Sequence, residues 1–383
     1  MNFPTDRRSL VKGGLAGMAL GAFAPRLAFA AAPTDQRFVF IIQRGAADGL
    51  HIVPPLGDPG FAALRGPFLA SLAAAQKIDA TFSLHPSLTE TGKLFTAKQG
   101  LAVHALATGY RDRSHFDGQD VLETGNPAPY AERTGWMNRM LALLPPGGNR
   151  ALALAADVPV ALRGARAVTS YAPSALPRAG DDTMARVTRL YADDAELTGL
   201  WSRALATRSL VGAKESSSRA PAELGRIAAS LLAPADGARV MMIETTGWDT
   251  HSGQTGRLAA QLTQLDKLIG AMVTGLGPAW SRTMVLVATE FGRTAAVNGT
   301  QGTDHGTGSA ALLLGGGLTN GGRVLADWPG LAPGALYENR DLKPTQSIEG
   351  LAAGAVAAHF GLDPARTLRT LYPAQASVRA VMV

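Results

Sequence analysis

Three observations predict an α/β fold built on a mostly parallel central sheet. Six unbroken apolar runs recur along the chain, too continuous to leave one sheet face in water. Helical patterns separate them, as in strand–helix–strand units. The ends of these runs carry acids, imidazoles and a hydroxyl, and an open α/β sheet binds its ligands beyond its strand ends.

In order, the expected strands cover 37–45 (RFVFIIQRG), 100–109, 150–156, 238–247, 283–290 and 310–317. A helix is expected from Ser114 to Gly125. Another has Leu258, Leu262, Leu265 and Ile269 at helical spacing, and an Ala-rich one lies near the C-terminus. Residues 181–233 read as a helical insertion, with a polar loop at 211–221. Residues 31–383 therefore read as one domain.

Residues 1–30 read as a signal peptide. Arg7 and Arg8 precede a short Gly/Ala-rich apolar stretch and Ala28-Phe29-Ala30, a small-residue cleavage pattern. The paired arginines resemble a twin-arginine export signal, although Asp6 and Leu10 depart from it. The expected consequences are contact with the twin-arginine translocase, a periplasmic or secreted location, and no stable membrane span. Arg7, Arg8, Lys12 and Arg26 against Asp6 account for +3 of the chain's +6, so the basic balance does not argue for nucleic acid. The chain has no cysteine, which excludes disulfides, thiol nucleophiles and zinc–thiolate sites. A bound metal would have to use His, Asp and Glu.

After the first run comes Asp48, and after the second comes Ser114. After the 238–247 run come Asp249 and His251. Glu290 and Arg293 follow the 283–288 run, then Asp304 and His305. Asp48, Asp249, His251, Glu290, Asp304 and His305 make six candidate ligands for one or two divalent ions. Zinc suits the imidazoles best, with calcium or manganese as alternatives. Ser114 at a helix start is a candidate nucleophile, activated by a neighbouring metal. Arg111, Arg113 and Arg293 are candidate clamps for an anion, and His115 a candidate substrate contact. Each has a plainer reading. Asp304 and Asp48 suit turns, Ser114 suits a helix cap, and Glu290 could pair with Arg293. His104, His85 and His359 read as structural, His51 as a residue without a partner, and Trp248 and Trp328 as packing residues.

RGAADGL, LHPSL, RSHFDGQDVLETG, GWDTH, TEFGRT, GTDHG and LADWPGL occur in that order between Arg44 and Leu331. Together they resemble a bacterial, twin-arginine-exported family of unknown function grouped with the alkaline phosphatase and sulfatase superfamily. That resemblance implies an alkaline-phosphatase-like three-layer sandwich with a metal site at the strand ends. It also implies Asp48 as the first metal acid, Ser114 as nucleophile, and Asp249-His251 and Asp304-His305 as ligand pairs. The chain departs from the superfamily in two ways. Only Thr250 separates Asp249 from His251, and Asp304 comes fourteen residues after Glu290 rather than directly after its strand. The Cys/Ser-x-Pro-x-Arg segment of formylglycine sulfatases is absent, as are G-x-S-x-G and the P-loop. The expected function is a metal-dependent hydrolase of small anionic phosphate or sulfate esters. The competing readings are a non-catalytic exported metal-binding or surface-assembly protein and, more remotely, a metal-independent serine hydrolase.

Overall fold

A sheet strand whose residues are all apolar must be covered on both faces, and the computed structural model covers them. It describes residues 35–145, 151–173, 181–211, 220–375, 377–381 and 383. The expected signal peptide, and all but the ends of the 211–221 loop, lie outside these residues. The strands are β1 (Arg37–Gln43), β2 (Gln76–Lys77), β3 (Ser83–Leu84), β4 (Gly100–Ala107), β5 (Ala151–Leu154) and β6 (Val168–Ser170). They continue as β7 (Val240–Thr245), β8 (Thr283–Ala288), β9 (Ser309–Gly315), β10 (Arg323–Leu325) and β11 (Gln346–Ser347). All six expected strands form.

Nine strands make the main sheet in the order β10-β4-β9-β8-β1-β7-β5-β6, with β11 also on β4. β1 lies between β7 and β8, parallel to both. β9 is the exception, antiparallel to both β4 and β8. The sheet is therefore mixed and mostly parallel, and the carboxyl ends of β1, β4, β7 and β8 share one edge.

The period-two alternation of β1 divides the core. Val39 and Ile41 face a layer containing helices Pro221–Leu232 and Gln254–Leu276. Phe38, Phe40 and Ile42 face a layer containing helices Trp136–Met140 and Ile348–Phe360. In Gln254–Leu276 the expected Leu258, Leu262, Leu265 and Ile269 are buried. Ser347 caps Ile348–Phe360 by accepting from the Gly350 N–H, and Gly361 ends it in the left-handed conformation. Helix His115–Thr124 likewise ends at left-handed Gly125.

The expected helical insertion of 181–233 is too long at its C-terminal end. Helices Asp181–Leu190 and Ala195–Val211 expose Leu190, Leu197 and Leu200. Helix Pro221–Leu232 instead buries Ile227, Leu231 and Leu232 in the core. Among the described residues, no helix is long and apolar enough to cross a membrane.

Beneath the carboxyl edge lies a buried imidazole group. His104 Nδ1 accepts from the Ala105 N–H at 2.8 Å, and its Nε2 donates to the Val53 carbonyl at 3.1 Å, so the ring is neutral. Its ring stacks on Phe82 and meets Trp328 edge-on. His51 and His85 lie nearby, their ring centroids 5.3 Å apart. Burial lowers His51 to about 3 and His85 and His104 to about 4. An unfolded histidine titrates near about 6.5, so between that pH and about 4 the unfolded chain binds protons that the native protein refuses. Stability is predicted to fall as pH drops through this window, by up to about 1.4 kcal/mol per pH unit for each ring. Urea denaturation at pH 7.5, 6 and 4.5 measures it, and a flat profile contradicts the assignment of three neutral rings.

Candidate metal centre

Three connections meet above the carboxyl edge. The turn after β7 carries Asp249 and His251, the turn after β4 carries Arg113, Ser114 and His115, and the β8–β9 connection carries Glu290, Arg293, Asp304 and His305. The glycines of GTDHG explain how the last segment fits. A Cβ on Gly302 would stand 2.2 Å from the His251 carbonyl, and one on Gly306 would stand 2.4 Å from the Arg293 carbonyl. Only a bare Cα lets this segment lie against both backbones. Arg293 and His305 form an isolated antiparallel bridge. Asn298 ties the connection to the neighbouring turn by donating to the His251 carbonyl at 2.9 Å.

Each of three imidazoles has its Nδ1 on an acceptor. His305 Nδ1 donates to the Arg113 carbonyl, His251 Nδ1 to Asp304 Oδ1 and His115 Nδ1 to Glu290 Oε1, all at 2.9 Å. A carbonyl or ionised carboxylate can only accept, so in each neutral ring the proton sits on Nδ1 and Nε2 keeps its lone pair. Those Nε2 atoms turn toward Asp249. His251 Nε2 and His305 Nε2 are 3.0 Å apart. Asp249 Oδ1 lies 3.1 Å from the first and 3.4 Å from the second. Asp249 Oδ2 lies 3.4 Å from His115 Nε2, which has no hydrogen-bond partner. His115, Asp249 and His305 thus form a group able to hold a metal ion, and His251 adjoins it. Tetrahedral zinc with bonds of about 2.0 Å has ligand atoms about 3.3 Å apart, so the donor types and spacings fit.

Arg293 completes the electrostatics. Its side chain is fully buried, with Nη1 donating to Asp249 Oδ1 at 2.7 Å and Nη2 buried without a partner. Burial would raise the Asp249 carboxyl, but the bond and charge of Arg293 outweigh it and hold it low. Burial would likewise raise Glu290, but the bond from His115 helps keep it below the usual range, while Glu290 raises His115. The bond from His251 lowers Asp304. Burial, with the charges of His115 and Arg293, lowers His305.

The predicted residues fall into three groups. Asp249, His251 and His305 come together, and His115, read from the sequence as a substrate contact, joins them. Glu290 and Asp304, also read as ligands from the sequence, each accept a hydrogen bond from the Nδ1 of a neighbouring histidine, Glu290 from His115 and Asp304 from His251. Asp48 is withdrawn from it. Fully buried, Asp48 takes Arg65 Nη1 at 2.5 Å and Nη2 at 3.2 Å, and it accepts from Gln254. Arg113, an expected clamp, places its guanidinium on Asp341 and Glu338, while Arg111 donates to the Thr108 and Tyr110 carbonyls. Ser114 is the helix N-cap but makes no capping bond. It stands between Arg113, whose carbonyl receives His305, and His115.

Sequence reading missed the frame beneath the site. Gln254 Oε1 accepts from Thr250 and Thr303, while its amide reaches Asp48. Arg65 also donates to the Ala295 and Thr294 carbonyls. Only the acid of this network stood out, because polar residues on a helix face or loop carry no mark of burial in sequence. Asp48→Asn leaves the Arg65 guanidinium buried without its counter-charge. The predicted cost is about 3–5 kcal/mol in urea denaturation, and a variant as stable as the parent refutes the pairing.

No curated protein matches the chain in sequence. A solved structure described as Ps i-CgsB in complex with k-i-k-neocarrahexaose is similar over 88% of this chain and 76% of its own, with 11% identity and a TM-score of 0.41. Alkaline phosphatase from the Antarctic bacterium TAB5 is similar over 77% of this chain and 95% of its own, with 9% identity and a TM-score of 0.36. The C-terminal periplasmic domain of EcEptC from Escherichia coli, complexed with Zn, covers 73% of each chain with 9% identity and a TM-score of 0.30. Likenesses this distant carry no argument about chemistry, and the fold assignment rests on the sheet itself. Residues 35–371 match a family described as "Protein of unknown function (DUF1501)", and the chain belongs to that family.

Proposed function

We propose that this protein is an exported, metal-dependent hydrolase of phosphate or sulfate monoesters that uses Ser114 as nucleophile. The observation that carries the reading is the convergence of three imidazole Nε2 atoms on Asp249, each ring anchored through Nδ1. His115, Asp249, His251 and His305 would hold the ion, with Glu290 and Asp304 orienting two of the rings. A divalent ion bound there supplies Lewis acidity and eases deprotonation of a nearby hydroxyl. Arg293 Nη2 offers a buried donor to a non-bridging oxygen of the ester. Ser114 Oγ forms a bond to phosphorus or sulfur as the ester bond breaks. The departing oxygen leaves as an alcohol with the proton that the serine gives up. Water then cleaves the serine ester and restores the hydroxyl. The twin-arginine-like segment in residues 1–30 supports export.

Elemental analysis should find about one or two zinc ions per chain, sharply fewer in His305→Ala. Asp304→Asn should weaken zinc about 10–100-fold in a competitive chelator titration. Ser114→Ala should keep its zinc and lose on the order of 10³-fold or more of its turnover of 4-nitrophenyl phosphate or sulfate. A chain without metal, or full turnover in Ser114→Ala, sinks the proposal. Bound zinc with no ester turnover would instead favour a non-catalytic metal-binding protein.

A further inference from the structure

A cleft of about 360 Å³ opens beside the metal centre. Helix His115–Thr124 connects the two: His115 belongs to the metal group, whereas Phe116, Gln119 and Asp120 line the cleft. Gln119 couples them directly. Its amide donates to Glu290 Oε1 at 3.1 Å, and its carbonyl accepts from Arg44 of the cleft wall at 2.8 Å. Phe116 of the cleft directly follows His115 of the metal group, so the two sites lie within one turn of the same helix.

The lining defines what fits. Phe116 is 80% exposed and Tyr130 63%, so two large rings stand in water at the cleft rather than in the core. Of the four carboxylates in its lining, Glu123 and Glu244 are ion-paired with Arg44, which leaves Asp120 and Asp157 against one further guanidinium, that of Arg163. This excess of negative charge repels a second anionic group. An apolar aryl group is disfavoured too, because it would strip water from carboxylates and give no hydrogen bonds in return. A neutral ring with several hydroxyls satisfies both demands. Its hydroxyls donate to Asp120 and Asp157, and its C–H face lies on an aromatic ring.

We infer that the cleft is the leaving-group subsite and that the substrate is a phosphate or sulfate monoester of a sugar. This inference rests on the hydrolase reading of the metal centre. Phe116 and Tyr130 are the platforms that bind the sugar ring.

The test compares zinc-loaded protein with its Phe116→Ala and Tyr130→Ala variants. The substrates are glucose 6-phosphate, galactose 6-sulfate and the two 4-nitrophenyl esters. Phe116→Ala should lower kcat/KM for the sugar esters about tenfold more than for the nitrophenyl esters. Equal losses on both substrate types overturn the inference, as does nitrophenyl turnover without turnover of either sugar ester. If no ester is hydrolysed, the hydrolase reading has failed and binding decides the subsite separately. Saturation-transfer NMR with methyl galactoside and methyl glucoside should then give signals that Phe116→Ala removes. No transfer to either glycoside overturns the subsite.

Discussion

Two imidazole nitrogens stand 3.0 Å apart at this site, His251 Nε2 against His305 Nε2, with the Asp249 carboxylate beside both. Each ring is fixed by donating a hydrogen bond from Nδ1 to an acceptor from another segment. The acceptors are a backbone carbonyl before the His115–Thr124 helix, a carboxylate just past β8 and a carboxylate in the β8–β9 connection. No segment builds the centre alone, because each needs another to orient its rings. Such preorganisation places the cost of gathering donors in folding rather than in ion binding.

The frame below keeps these segments from separating. Asp48 and Arg65 form a fully buried ion pair at the end of β1. Through Gln254 it reaches Thr250 and Thr303, which adjoin His251 and Asp304 in the chain. A buried pair of this kind adds little net stability over an apolar pair, but it accepts few alternative arrangements. Arg65 also donates to two carbonyls beyond Arg293, so one guanidinium sets the path of the chain that returns with His305.

Much of this was legible in the sequence, for physical reasons. The strands announced themselves because parallel strands buried on both faces have no polar alternation. Asp249, His251, Asp304 and His305 stood out because polar groups after such runs collect at one edge. The direction of β9 was not legible, since an apolar run reads alike either way. The division of labour among the acids was hidden too. Asp304 and Asp249 are both carboxylates in loops, and only their distances to imidazole Nδ1 or Nε2 separate an orienting group from a member of the cluster. Asp48 looked like a ligand because its partner, Arg65, ends a helix seventeen residues later and carries no motif.

The reversed direction of β9 bears on how this site assembles in time. A parallel successor to β8 would have required a long crossover and would have started at the opposite edge, taking the residues just before it, Asp304 and His305, away from the site. Because β9 runs back beside β8, Arg293 and His305 meet only twelve positions apart in the chain. Closing so short a loop costs little chain entropy, whereas pairing β1 with β7 joins residues roughly two hundred apart. Low contact order favours early formation, so the hairpin that carries His305 can take shape before the sheet's most distant partners find one another.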